Sequence, residues 1–72
     1  MNVLRQFGLR VRQLREKREW SQEDFAEKAD LHRTYVSGIE RGTRNPTLTV
    51  LERIADGFEM PLNKLLEGLS KK

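Results

Sequence analysis

Cysteine is absent from this 72-residue chain, which removes disulfides and cysteine-ligated zinc as sources of stability. Histidine occurs once, at His32. A lone imidazole without cysteine cannot build a structural metal site, so no metal or other cofactor is expected. No motif supplies His32 with the nucleophile and orienting acid of a hydrolase. The sequence therefore points away from an enzyme and from a small-molecule substrate. No apolar run approaches the roughly 20 residues of a membrane span, and none reads as a secretory signal. No membrane association is expected, and the cytoplasm is the expected location.

What is present is charge and helical periodicity. Charged residues make up 35% of the chain, yet the apolar residues recur at helical spacing, which argues against disorder. Residues 1–72 are read as a single domain near the lower size limit for independent folding. Its core must come from helix packing, aided by a partner subunit. The signs of charge are segregated. Residues 1–18 carry Arg5, Arg10, Arg12, Arg15, Lys17 and Arg18 against Glu16, a balance of +5. Residues 19–30 carry Lys28 against Glu19, Glu23, Asp24, Glu27 and Asp30, a balance of −4. Residues 31–53 stand at +2 and the rest at zero, for a net +3. Such a pattern fits one basic and one acidic face, or ordinary solvated helix surface.

The spacing predicts five helices and no strands, an all-α bundle. The first runs from Val3 to about Lys17, with Phe7, Val11 and Leu14 on one face and Leu4 extending it. Its arginines serve either solubility or contact with phosphate. The second opens on Ser21-Gln-Glu-Asp24, a capping box, and buries Phe25, Ala26 and Ala29. Asp30 follows, where a sharp turn needs a residue tolerant of the left-handed region, and Leu31 returns the chain to the core. The third helix spans about Arg33 to Arg41, with Val36 and Ile39 as its inner edge. Gly42 closes it, and residues 43–46 form a loop. Thr47 caps the fourth helix, whose Leu48, Leu51, Ile54, Ala55 and Phe58 form a core stripe. Pro61 opens the fifth at its first position, with Leu62, Leu65, Leu66 and Leu69 at i, i+3, i+4 and i+7. Part of this last region, Leu69 with Phe58 and Met60, is read as an exposed apolar patch that favours self-association. Ser70, Lys71 and Lys72 are expected to fray.

Residues 22–41 organise the chain. Two helices joined at roughly 90–120° by a tight turn press their backbones together, and Ala26 is small enough to allow it. The third helix then keeps a polar, basic face free. A helix held in this way fits the major groove of duplex DNA. Arg33, Thr34 and Ser37 are the expected base-reading residues. Arginine grips a guanine edge with two bonds, and threonine offers a hydroxyl and a methyl suited to thymine. Tyr35 is expected at the DNA backbone, its ring packed at the helix edge while its hydroxyl meets a phosphate. His32 stands at the N-cap, as a cap and a phosphate contact. Gly38 weakens a helix interior by about 1 kcal/mol relative to alanine, which close approach of DNA or of the second helix would explain, as would simple tolerance. Trp20 is read as a core or staple residue packing toward Asp24 or Phe25.

Ala26, Asp30, Val36 and Ile39, with the strings Ser21-Gln22, Ile39-Glu40-Arg41-Gly42 and Asn45-Pro46-Thr47-Leu48, resemble the helix-turn-helix of the Cro and phage-repressor family. The resemblance covers about Phe7 to Leu66. The string Leu31-His-Arg-Thr-Tyr35 is more specifically similar to controller proteins of restriction–modification systems. This resemblance implies a compact, lambda-repressor-like domain that regulates transcription from double-stranded DNA, as activator, repressor or both. It implies an ion pair between Arg15 and Glu40. It also implies backbone contacts from Gln22 and from the loop, with Arg41 and Arg44 as phosphate clamps beside Thr43 and Asn45. A homodimer through the 61–69 helix would set two recognition helices about 34 Å apart on a near-palindrome. Two departures stand out: Glu19, where the family usually has glycine, and Gly57, where it prefers alanine. Glu19 is expected to bear left-handed strain, and Gly57 to weaken or end its helix. A phage-type repressor or antitoxin is the nearest alternative. A protein-interaction adaptor without DNA is another, against which the arginines at 33, 41 and 44 argue.

Overall fold

Four chain reversals set the architecture, and all four use one device. In a computed structural model that describes residues 2–69, five helices follow one another: α1 (Val3–Lys17), α2 (Gln22–Ala29), α3 (Arg33–Arg41), α4 (Leu48–Gly57) and α5 (Leu62–Leu65). The fraying expected at residues 70–72 lies outside the described residues. After each of α1 to α4 one residue turns left-handed: Glu19, Asp30, Gly42 and Glu59. In every case the next amide reaches back five residues: Trp20 to Arg15, Leu31 to Ala26, Thr43 to Gly38 and Met60 to Ala55, at 2.8–3.2 Å. This is the Schellman closure, which satisfies helix-end carbonyls and turns the following side chain back onto the helix.

Helix starts are equally local. Asn2 accepts from the Arg5 amide at 2.9 Å. Ser21 and Asp24 exchange both capping-box bonds, at 3.0 and 2.9 Å. Thr47 accepts from the Val50 amide at 3.2 Å.

The core holds Phe7, Val11, Phe25, Ala26, Ala29, Val36, Ile39, Ile54, Ala55, Phe58 and Leu65. Helix α3 is packed by both α1 and α2, while α4 rests on α2 and carries α5. At the α1–α3 crossing the residue that matters is Gly8, which periodicity does not mark. A Cβ there would lie 2.7 Å from the Glu40 carbonyl oxygen and closer still to that of Ile39. Only hydrogen at this position lets the two backbones meet. Trp20, Phe25 and Phe58 form a cluster of near-parallel rings, with Phe25 and Phe58 ring centres 4.2 Å apart and Trp20 6.3 and 6.0 Å from them.

Three expectations give way here. The fifth helix is a single turn, Leu62–Leu65, with Pro61 as its N-cap and turns from 66 to 69. A leucine stripe at helical spacing is satisfied by one turn plus its closing bends when only Leu65 is fully buried. Leu48 belongs to no core: it is 68% exposed, on the first turn of α4. Phe58 belongs to no interface: it is 2% exposed, inside the aromatic cluster. Gly57 is the last residue of α4, packed against Phe25 and Ala29, and the reversal itself falls at Glu59.

Candidate nucleic-acid interface

Helix α3 is anchored from below by Val36 and Ile39, both buried. On its other side Arg33, Thr34 and Arg41 are exposed, and Tyr35 and Ser37 are half-buried. Of the residues expected from sequence to read bases, Arg33 and Thr34 are open to solvent and Ser37 is half-buried. The helix carries a single acid, Glu40, and that carboxylate is turned inward. Arg15 of α1 donates to both its oxygens, at 2.7 and 3.0 Å. Side-chain exposures of 12% and 5% mark this pair as largely shielded from water. The hydrogen bond to Glu40 raises the Arg15 guanidinium above its ordinary pKa against the opposing effect of burial. Arg15 also donates to the Trp20 carbonyl at 2.7 Å, so one guanidinium ties α1, the first reversal and α3 together. With Glu40 neutralised, the outer side of α3 is left to Arg33, Arg41 and, from the loop, Arg44.

Gln22 joins this network. Its amide donates to Glu40 at 3.1 Å, which sets the orientation of the side chain at the start of α2. The α2 N-terminus itself is filled by its own capping box, and Glu23 and Asp24 place carboxylates in its first turn. Any phosphate contact at this end therefore falls to the Gln22 side chain, and the helix terminus offers little to an anion.

The loop and helix end are similarly occupied. The Arg41 guanidinium donates to the Ser37 hydroxyl one turn earlier. Thr43 donates its hydroxyl to the Gly38 carbonyl at 3.1 Å, so it closes α3, and its proton is engaged there. The Arg44 guanidinium lies 5.3 Å from the centre of the Tyr35 ring. Asn45 is exposed. His32 occupies the N-cap position, but its side chain makes no capping bond. Its imidazole is exposed, and the first turn of α3 is bonded through the His32 carbonyl alone.

Two further arginines, Arg10 in α1 and Arg18 at its C-cap, answer a question the sequence left open. Arg10 donates to the carbonyls of Lys64 and Leu65, at 2.8 and 3.1 Å. Arg18 donates to those of Leu14 and Phe58, at 3.0 and 3.3 Å. They stitch α1 to the ends of α4 and α5. Local pattern gave no sign of this, because the acceptors on α4 and α5 are backbone atoms 40 to 55 residues away in sequence. The three residues expected at a dimer interface are not brought together either. Phe58 is internal, Met60 lines a groove with Arg10 and Arg18, and Leu69 lines a separate apolar groove with Val3, Leu4 and Leu51.

Two short helices meeting at a left-handed turn, the second with a basic outer face, define a helix-turn-helix DNA-binding domain. Comparison with known proteins agrees: a helix-turn-helix family model matches residues 11–65, and the chain belongs to that family. It is a DNA-binding transcriptional regulator of this type. Among curated relatives, it is 45% identical over 67 residues to the control protein C.MunI of a Mycoplasma species, covering 92% of this chain and 90% of that one. It is 46% identical over 67 residues to the control protein C.BamHI of Bacillus amyloliquefaciens, covering 92% and 83%. Among solved structures, the restriction–modification controller protein C.AhdI of Aeromonas hydrophila superposes with a TM-score of 0.83 at 39% identity, over 86% of this chain and 94% of that one. The controller protein C.Esp1396I, as a tetramer on its natural 35-base-pair operator, gives 0.84 at 37% identity, over 93% and 88%. Among the described residues, no helix is long and apolar enough to cross a membrane.

Proposed function

We propose that this chain is a restriction–modification controller protein that works as a single domain in the cytoplasm. It pairs as a homodimer and binds a near-palindromic operator in duplex DNA. Each copy lays α3 in a major groove. Arg33, Thr34 and Ser37 meet base edges, and Gln22, His32, Arg41, Arg44 and Asn45 hold the flanking phosphates; the Tyr35 ring lies under the Arg44 guanidinium. The observation that carries this reading is the inward turn of Glu40 onto Arg15, which leaves the outer face of α3 with positive charge only. Thr43 supports the loop more than the DNA, since its hydroxyl proton is directed to Gly38. Pairing is supported by the apolar groove beside Leu69 and the exposed Leu48, and by the operator-bound tetramer formed by C.Esp1396I. Selection from a random pool of duplexes tests the reading. It should enrich two inverted half-sites spaced by about one helical turn. Enrichment of a single half-site would contradict the dimer, and no enrichment would contradict sequence reading altogether.

A further inference from the structure

Gly38 lies in the middle of α3, where glycine costs helix stability relative to alanine, yet it is buried. What covers it is the side chain of Arg44. A Cβ on Gly38 would lie 2.7 Å from Arg44 Cγ, 3.2 Å from its Nε and 3.4 Å from Thr43 Oγ1. The first distance is shorter than side-chain atoms tolerate, so a methyl group there must displace Arg44. Farther out, the Arg44 guanidinium lies over the Tyr35 ring, 5.3 Å from its centre. Thr43 fixes the start of the loop, since its hydroxyl and its amide both donate to the Gly38 carbonyl, at 3.1 and 2.9 Å. The stem of Arg44 thus fills the notch that Gly38 leaves, and its charged head rests on Tyr35.

We infer that Gly38 and Tyr35 are positioning residues that lay Arg44 along the recognition helix, ready to grip a phosphate. This rests on the reading of α3 as the groove-bound helix. An arginine on a free loop loses much rotamer freedom when it grips a ligand, whereas one already laid along a helix loses less. A guanidinium over an aromatic face is attracted to it and keeps its N–H donors pointing outward in its own plane. Tyr35 therefore acts through its ring, and its hydroxyl is dispensable.

A double-mutant cycle tests this, with duplex binding followed by fluorescence anisotropy at fixed salt and melting temperatures measured alongside. The probe is a duplex carrying the sequence selected above. Gly38→Ala should weaken binding roughly three- to tenfold while leaving the melting temperature unchanged or raised. Tyr35→Phe should bind like the parent, and Tyr35→Leu should weaken binding as Gly38→Ala does. In an Arg44→Ala background, Gly38→Ala and Tyr35→Leu should have no further effect. Equal losses with and without Arg44 would overturn the inference, because the methyl or the ring would then act on DNA directly. Parent-like binding by Gly38→Ala, or equal losses for Tyr35→Phe and Tyr35→Leu, would overturn it as well. Failure of the underlying reading is distinguishable: the unmutated protein would then bind no duplex, or bind with no sensitivity to salt.

Discussion

Glu40 accepts two hydrogen bonds from Arg15 across the α1–α3 contact, with the carboxylate almost fully shielded. The pair does two jobs. It joins the first helix to the third, and it removes the only negative charge of α3 from the helix's exposed side. Glu40→Gln leaves the Arg15 charge without its carboxylate in a shielded position, a loss of up to about 3–5 kcal/mol. That is a large share of the stability of so small a domain. Chemical denaturation of the variant should show the loss, and an unchanged midpoint would mean that the pair contributes nothing.

The capping box of α2 links stability to acidity. The hydrogen bond that Asp24 accepts from the Ser21 backbone N–H lowers its pKa, with a smaller contribution from the Ser21 side chain. A carboxylate whose folded-state pKa is depressed stabilises the fold above its unfolded value, and loses that contribution as pH falls through the folded one. The thermal stability of the parent should therefore fall below about pH 4. Asp24→Asn should flatten that acid limb while lowering stability at neutral pH. An unaltered acid limb in the variant would assign the effect to other carboxylates.

Glu19 sits left-handed, with φ of 59°, in a reversal whose geometry suits glycine. Relief of that conformation in Glu19→Gly should stabilise the protein by about 1 kcal/mol, less whatever the glycine adds to the entropy of the unfolded chain. A calorimetric melting temperature should rise by a few degrees, on the order of 4–8 °C per kcal/mol for a domain of this size. A fall would show that the Glu19 side chain contributes more than its backbone strain costs.

Leu48, 68% exposed at the start of α4, lies in sequence between Pro46 and Leu51, which line the apolar groove with Leu69. Pairing through this surface predicts that Leu48→Asp leaves helical content intact, shifts the protein to monomer in analytical ultracentrifugation and removes the concentration dependence of melting. Affinity for a two-half-site duplex should fall with it. A dimer of unchanged strength would place the partner elsewhere.

The legible parts of the molecule were those that depend on neighbours in sequence. Ser21 and Asp24 are three residues apart and cap one helix. Asp30 turns left-handed because the chain must reverse there, and Val36 and Ile39 mark an inner edge by their spacing alone. The pairing of Arg15 with Glu40 was visible only through family resemblance, because 25 residues separate the two. What stayed hidden is set in three dimensions. Arg10 and Arg18 look like surface charge until the carbonyl ends of α4 and α5 come to meet them. Gly8 has no side chain to register in a periodic pattern, yet it decides how closely α1 and α3 approach. Phe58 and Leu48 belong to the same stripe of α4, but Phe25 and Trp20 close over one while the other stands open.

Base reading by the outer face of α3 and phosphate contact by the loop beyond it leave different signatures in binding. The most direct measurement compares Arg33→Ala and Arg44→Ala on the selected operator and on a scrambled duplex, across a range of salt concentrations. Arg33→Ala should cost about 1–3 kcal/mol on the operator and little on the scrambled duplex. Arg44→Ala should weaken both alike and shallow the salt dependence by about one phosphate contact. If Arg33→Ala left discrimination between the two duplexes intact, α3 would not be the element that reads the sequence.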